Sequence, residues 1–211
     1  MGRRRRNKEQ TIRRLTDAVG RIMTEKGYNG IGVNQVSVAS GVSKPMIYEY
    51  FGGLNNLLKA YIREKDYWLP FFETLKLPAD FSGEELKNLY INILQEQFRY
   101  FSAEKEMQKL ILWQISEPNP LMRAVSETRE RDGIRLLELS DDHFRNADIS
   151  LKAVIALLVG GIYYNVLHNS AGTGSVSGID ISNEKEYELM INTVAQLVDL
   201  VWEAAGDKQQ K

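Results

Sequence analysis

Apolar residues recur at three- and four-residue spacing through almost every segment of this 211-residue chain, and that period commits it to helices. Ile12, Leu15, Val19, Ile22 and Met23 form one stripe, and Gly27 stands where a helix stops. Ser43 opens a short segment as its cap. Pro45 is tolerated in the first turn because its missing N–H has no intrahelical partner there. Gly52 and Gly53 end that segment. A helix from about Leu54 to Trp68 is expected to run until Pro70 breaks it. Ser82, three residues before Glu85, reads as a capping box for a helix to about Phe101, and another helix covers about Glu104 to Ser116. Asn119 and Pro120 open the next one. Ser150 opens a very apolar helix to about His168, and Asn183 with Glu186 opens the last, which stops at Gly206. The stretch "NSAGTGSVSG" is a loop by composition. No strand pattern and no fixed-period repeat compete, so the expected fold is all-α.

Apolar residues make up 43 % of the chain, enough to fill a core. The absence of cysteine excludes disulfides, thiolate metal sites and cysteine nucleophiles. The two histidines, His143 and His168, belong to no "HExxH", and there is no "GxSxG". "GTGSVSG" lacks the Lys-Ser/Thr ending and the preceding strand of a phosphate loop. No enzyme, cofactor or metal is expected. The basic start "MGRRRRNKEQ" leads into no apolar stretch and is no secretory signal. The longest apolar run, "AVIALLVGGIYYNVL", falls short of the roughly 20 residues of a spanning helix, so the expectation is a soluble cytoplasmic protein without a membrane partner.

The net charge of −1 is unevenly spread. Residues 1–65 hold 13 Lys+Arg against 5 Asp+Glu, and residues 66–211 hold 14 against 23. One end should attract polyanions. Within it, "GVSKPMIYEY" (Gly41–Tyr50) places a permissive glycine between two short helices, as a helix-turn-helix requires. The second helix of such a motif enters the DNA major groove. Lys44 suits guanine O6 or N7, or a phosphate, and Met46 suits a thymine methyl. Tyr48 and Tyr50 suit phosphate oxygens, while Ile47 and Phe51 are expected in the core.

The run "AVGRIMTEKGYNGIGVNQVSVASGVSKPMIYEYFGGLNNLLKAYI" resembles the N-terminal domain of tetracycline-repressor-like (TetR) transcriptional regulators. Gly27–Tyr28 after the first helix, "GVS" at the turn and "IYEYF" at the end of the second helix carry the likeness. The resemblance implies a three-helix helix-turn-helix domain over residues 1–53. A larger helical ligand-binding and dimerisation domain would follow over 54–211, with 54–69 as connecting helix. It implies a ligand-responsive regulator, a repressor by expectation, that binds a palindromic double-stranded operator as a homodimer and is released by a small, mostly apolar effector. Position by position, Lys44, Pro45 and Met46 would face bases, Tyr48 and Tyr50 the backbone, and Asn34 a base or phosphate, with Ser43 at the helix start beside them. Two positions depart from the family pattern. Gly32 replaces a usual Thr or Ser cap, and Leu54 replaces a usual lysine, whose phosphate contact the arm Arg3–Arg6 would have to supply.

The segment from Ser150 to His168 is apolar nearly all round and must be covered on more than one side, by the chain's own core or by a symmetry mate. Taken with the resemblance, the dimer seam is expected at Leu158, Ile162, Val166, Val194, Val198 and Val201. Effector candidates are the aromatics Tyr67, Trp68, Phe98, Trp113 and Tyr164, with Gln114 and His168 as polar partners and Gln97 and Asn165 as further polar groups. The competing reading is a helical adaptor that binds proteins and no DNA.

Overall fold

The computed structural model describes residues 2–75 and 82–206, with side chains from residue 6 onward. The arginines at positions 3 to 5 of the proposed arm therefore lie outside the described side chains. Among the described residues there are eleven α-helices and no strand. The helices are α1 (Gly2–Lys26), α2 (Val33–Ser40), α3 (Lys44–Phe51), α4 (Leu54–Lys65), α5 (Trp68–Thr74), α6 (Gly83–Ala103), α7 (Lys105–Ser116), α8 (Pro120–Glu138), α9 (Asp141–Phe144), α10 (Leu151–Ser170) and α11 (Glu184–Gly206). They form two compact units, the first spanning Met1–Phe71 and Lys105–Ser126, the second Phe72–Glu104 and Glu127–Lys211.

In the first unit the stripe of α1 is the spine. Leu15, Ala18, Val19, Ile22 and Met23 are buried against Val36 of α2, Ile47 of α3, Leu57, Leu58, Tyr61 and Ile62 of α4, and Leu110 and Trp113 of α7. The unit therefore does not close at residue 53, because one face of α4 and one of α7 complete its core. Trp113 stacks on Tyr28, with ring centroids 5.1 Å apart. Glu106 of α7 lies 3.4 Å from Lys65 of α4, and a Cβ on Gly20 of α1 would meet its carboxylate at 2.8 Å. A glycine at that turn lets α7 approach α1.

The chain after α4 differs from expectation. The helix stops at Lys65 because Asp66, 2 % exposed, turns its carboxylate to the next one, accepting from the N–H groups of Trp68 (2.8 Å) and Leu69 (3.0 Å). Pro70 falls inside the first turn of α5, where proline costs no hydrogen bond, so the break belongs to the aspartate cap.

In the second unit α6 packs against α10 and α11. Its capping box is present: the Ser82 hydroxyl accepts from Glu85 N–H at 3.2 Å, and the Glu85 carboxylate accepts from Ser82 N–H at 2.9 Å. The Ser82 hydroxyl, which also donates to the Glu85 carboxylate at 2.7 Å, and the Ser82 N–H together hold that carboxyl below its ordinary pKa. Lys87 bridges Glu84 (3.1 Å) and Asp199 of α11 (3.0 Å). Tyr90, buried, donates to the carbonyl of Leu136 at 2.8 Å, and burial pushes its phenol up to about 12. Asn119 and Ser150 cap α8 and α10 as expected. Asn183 caps α11 alone, since the Glu186 carboxylate accepts from the N–H of Asp180 instead. The short α9 was not foreseen. It carries His143, whose ring stacks on Trp202 at 4.3 Å. Helix α10 runs 20 residues at mean hydropathy 1.5, so by length and composition it is long and apolar enough to cross a membrane, against the expectation that it falls short.

Candidate nucleic-acid interface

The turn between α2 and α3 rests on Gly41, which sits in the left-handed region at φ 64° and ψ 24°. Only glycine adopts this at little cost. Its neighbours are held from two sides. Arg14 of α1 donates to the carbonyl of Ser40 through Nε (3.1 Å) and Nη2 (2.7 Å), and Nη2 also reaches the Gly41 carbonyl at 3.3 Å. Arg21, seven residues on, donates to the carbonyl of Ala39 at 2.7 Å. These guanidinium groups satisfy the terminal carbonyls of α2 and oppose the negative end of its dipole. On the other side, the Ser37 hydroxyl donates to the Val42 carbonyl at 2.7 Å, and the Ser40 hydroxyl accepts from Val42 N–H at 3.1 Å. The sequence reading missed all four side chains. Their signal was present: Arg14 and Arg21 lie two turns apart along one flank of the apolar stripe.

Helix α3 is thereby presented with a defined face. Ile47 is fully buried, and Met46, Tyr50 and Phe51 are half-buried against the same core. Lys44, Pro45, Tyr48 and Glu49 are exposed, spaced so that they share one side of the helix. Tyr48 is 55 % exposed, unusual for a phenol on a helix with a buried face. Tyr50 differs from Tyr48. Its ring packs inward and lies under Lys8 Nζ of α1, 5.6 Å from the centroid. Ser43 is exposed but its hydroxyl does not cap α3. The cap is formed by its carbonyl, which accepts from Met46 N–H at 3.1 Å, and the hydroxyl stays available. Gly32 likewise gives α2 no side-chain cap. Asn34 is exposed at the start of α2 and lines a shallow groove with Arg21, Ile22, Gln35 and Val38. Leu54 packs on the core and supplies no charge at the start of α4. Among the described side chains, the exposed cations nearest in sequence to the turn are Lys44, Lys26 and Lys59.

The effector candidates are divided between the two units. Tyr67, Trp68, Trp113 and Gln114 belong to the first unit, where Tyr67 meets Trp68 edge-on (5.1 Å) and stacks on Phe71 (5.9 Å). Gln114 donates to the Ser126 hydroxyl at 3.3 Å. Phe98, Tyr164 and His168 belong to the second unit. Phe98 is fully buried beside Tyr187, Tyr164 is exposed, and His168 Nδ1 lies 3.2 Å from the carbonyl of Gly174.

The residues of the expected dimer seam are mostly enclosed in the single chain. Ile162, Val166, Val194, Val198 and Val201 are buried within the single chain, and Leu158 is half-buried. A side chain already enclosed by its own core has no surface left for a partner. The other faces of the same helices are open. On α10 these are Leu157 (75 % exposed) and Tyr164, with the small exposed residues Ala153, Ala156 and Gly160 in the same stripe. On α11 they are Leu189, Leu197 and Leu200.

Residues 15–61 match the family model for bacterial regulatory proteins of the tetR family. No curated protein sequence matches the chain significantly. Among solved structures, the fold is similar to that of a Clostridium perfringens protein assigned to the regulation of fatty acid metabolism. The match has TM-score 0.62 and 16 % identity, covering 92 % of this chain and 97 % of that one. It is similar to Salmonella enterica GusR at TM-score 0.59 and 16 % identity, over 92 % of this chain and 95 % of that one. The third is FadR of Bacillus subtilis in complex with stearoyl-CoA, at TM-score 0.58 and 14 % identity, over 92 % and 98 %. At these identities the structural likeness speaks for the fold.

Proposed function

From a chain whose N-terminal domain is that of the tetR family of bacterial regulatory proteins, we propose a repressor that binds a palindromic operator as a homodimer and lets go when a small, mostly apolar effector binds. The observation that carries this reading is the exposed face of α3. Lys44, Pro45 and Tyr48 stand out from a helix whose other side is locked into the core and whose turn is clamped by Arg14 and Arg21. A rigid mount with an exposed cation and phenol is what groove docking needs. Lys44 and Pro45 then face base edges and Tyr48 donates to a phosphate oxygen. Ser43, with its hydroxyl uncommitted, joins them at the start of α3, where the backbone N–H groups favour an anion. Met46 and Tyr50 reach DNA only by their outer edges. Asn34 serves from α2.

The open faces of α10 and α11 support the homodimer. An apolar stripe with small residues lets two helices approach closely, and a second copy of the same pair completes a four-helix seam. That cover also accounts for α10 without a bilayer, since Ile162 and Val166 on its far side belong to the chain's own core. Two heads must meet half-sites about 34–36 Å apart, or a multiple of it, so any change in their separation breaks simultaneous docking. The effector acts only through different affinity for the free and operator-bound states. A mostly apolar effector is supported by the stearoyl-CoA held by FadR of Bacillus subtilis, whose fold this chain shares.

The adaptor reading draws on the same open apolar faces and needs no DNA. Paired substitutions decide. Lys44→Ala with Tyr48→Phe should leave the melting temperature unchanged and weaken binding to a selected operator at least about tenfold, through lost charge-assisted contacts. Unaltered DNA affinity in that variant contradicts the proposed face.

A further inference from the structure

Gln97 lies on α6, 1 % exposed, and neither its carbonyl oxygen nor its amide nitrogen has a hydrogen-bond partner. Buried amides are almost always satisfied. The contrast within the same helix is direct: Gln95, two residues earlier, donates from Nε2 to the carbonyl of Ile191 at 3.2 Å. Among the described residues, the second unit buries one other polar side chain to this degree, Ser140, and that hydroxyl donates to Leu137 at 2.7 Å. Gln97 thus differs from both Gln95 and Ser140.

Its setting is apolar and aromatic. Ile93 and Phe101 lie one turn to either side on α6, both buried. Phe101 packs on Tyr163 of α10 with centroids 4.7 Å apart, and Phe98 meets Tyr187 of α11 at 5.3 Å. Gln97 therefore falls on the stretch of α6 that meets both late helices. No lysine, arginine or histidine is buried there among the described residues. An anionic group placed beside it would lack a counter-charge.

We infer that Gln97 is the polar anchor of an effector site inside the second unit, selecting a neutral, largely apolar molecule that offers a hydrogen-bond donor and acceptor side by side, the pattern of a carboxamide. The inference rests on the effector-responsive reading above. It separates this chain from a binder whose recognition is centred on an anionic head group.

The test is calorimetric titration of the full-length protein with lauramide, laurate and lauroyl-CoA, for wild type, Gln97→Leu and Gln97→Met. Lauramide should bind the wild type most tightly. Both variants should melt at the same or higher temperature, because an unsatisfied amide is gone, yet hold lauramide at least about tenfold more weakly. Lauramide affinity indifferent to either substitution overturns the anchor. So does tightest binding of laurate or lauroyl-CoA, or heat from none of the three. Operator binding is measured in parallel without ligand and should be equal in all three proteins. Failure of the wild type to bind DNA removes the regulator reading, whereas intact DNA binding with Gln97-independent ligand affinity removes only the anchor.

Discussion

Two tyrosines two residues apart on α3 have different physical standing. Tyr48 is 55 % exposed and Tyr50 packs inward beneath Lys8, yet in sequence they are the same phenol on the same short helix. Tyr48→Phe should therefore cost DNA affinity and no stability, while Tyr50→Ala should lower the melting temperature. Arg14 makes a different prediction. Its bonds run to backbone carbonyls, so Arg14→Ala should destabilise the first unit by about 1 kcal/mol, less than a buried charged bond because the side chain is exposed. Equilibrium urea unfolding measures this, and operator affinity should fall more than Lys44→Ala alone explains. Tyr90 predicts a pH effect. Its folded phenol titrates near 12 against an ordinary 10.0. Ionisation opposes the fold, so this stability is whole below pH 10 and is lost as pH rises toward 12. Alkaline unfolding should lose that phase in Tyr90→Phe.

At the scale of elements, punctuation was legible where one side chain does the capping within its own neighbourhood. Ser82 with Glu85, Asn119 and Ser150 all cap as read. Long-range partners were not legible. Nothing local says that Arg14 reaches across to Ser40, or that Asp66 rather than Pro70 ends α4. Asp66→Ala should cost about 1 kcal/mol and loosen α5, read by chemical denaturation. The seam raises the same issue. Periodicity finds the apolar stripes of α10 and α11 but cannot tell which of two opposite stripes faces the chain's own core. Leu157→Asp with Leu200→Asp should yield a folded monomer by analytical ultracentrifugation. Val198→Asp places an unpaired charge in a fully buried site and should unfold the second unit, a loss of at least about 3 kcal/mol. A folded monomer from Val198→Asp and an intact dimer from the leucine pair would reverse the assignment.

For the whole molecule, the class of fold and the helix-turn-helix followed from sequence because helical period, turn glycine and N-terminal proline are all local signals. The extent of the first unit did not, since α7 joins its core from some forty residues beyond α4. The effector site was the least legible, because aromatics at helical spacing are equally core. The central claim is that two copies of a cationic head read one duplex together. Selection of bound sequences from a random DNA pool by the full-length protein tests it most directly. The account predicts an enriched palindrome whose half-sites are one helical turn apart or a multiple of that, bound with affinity that falls steeply between 50 and 200 mM salt, roughly a thousandfold for some six phosphate contacts. No enriched sequence, or an enriched site without two-fold symmetry, would contradict it.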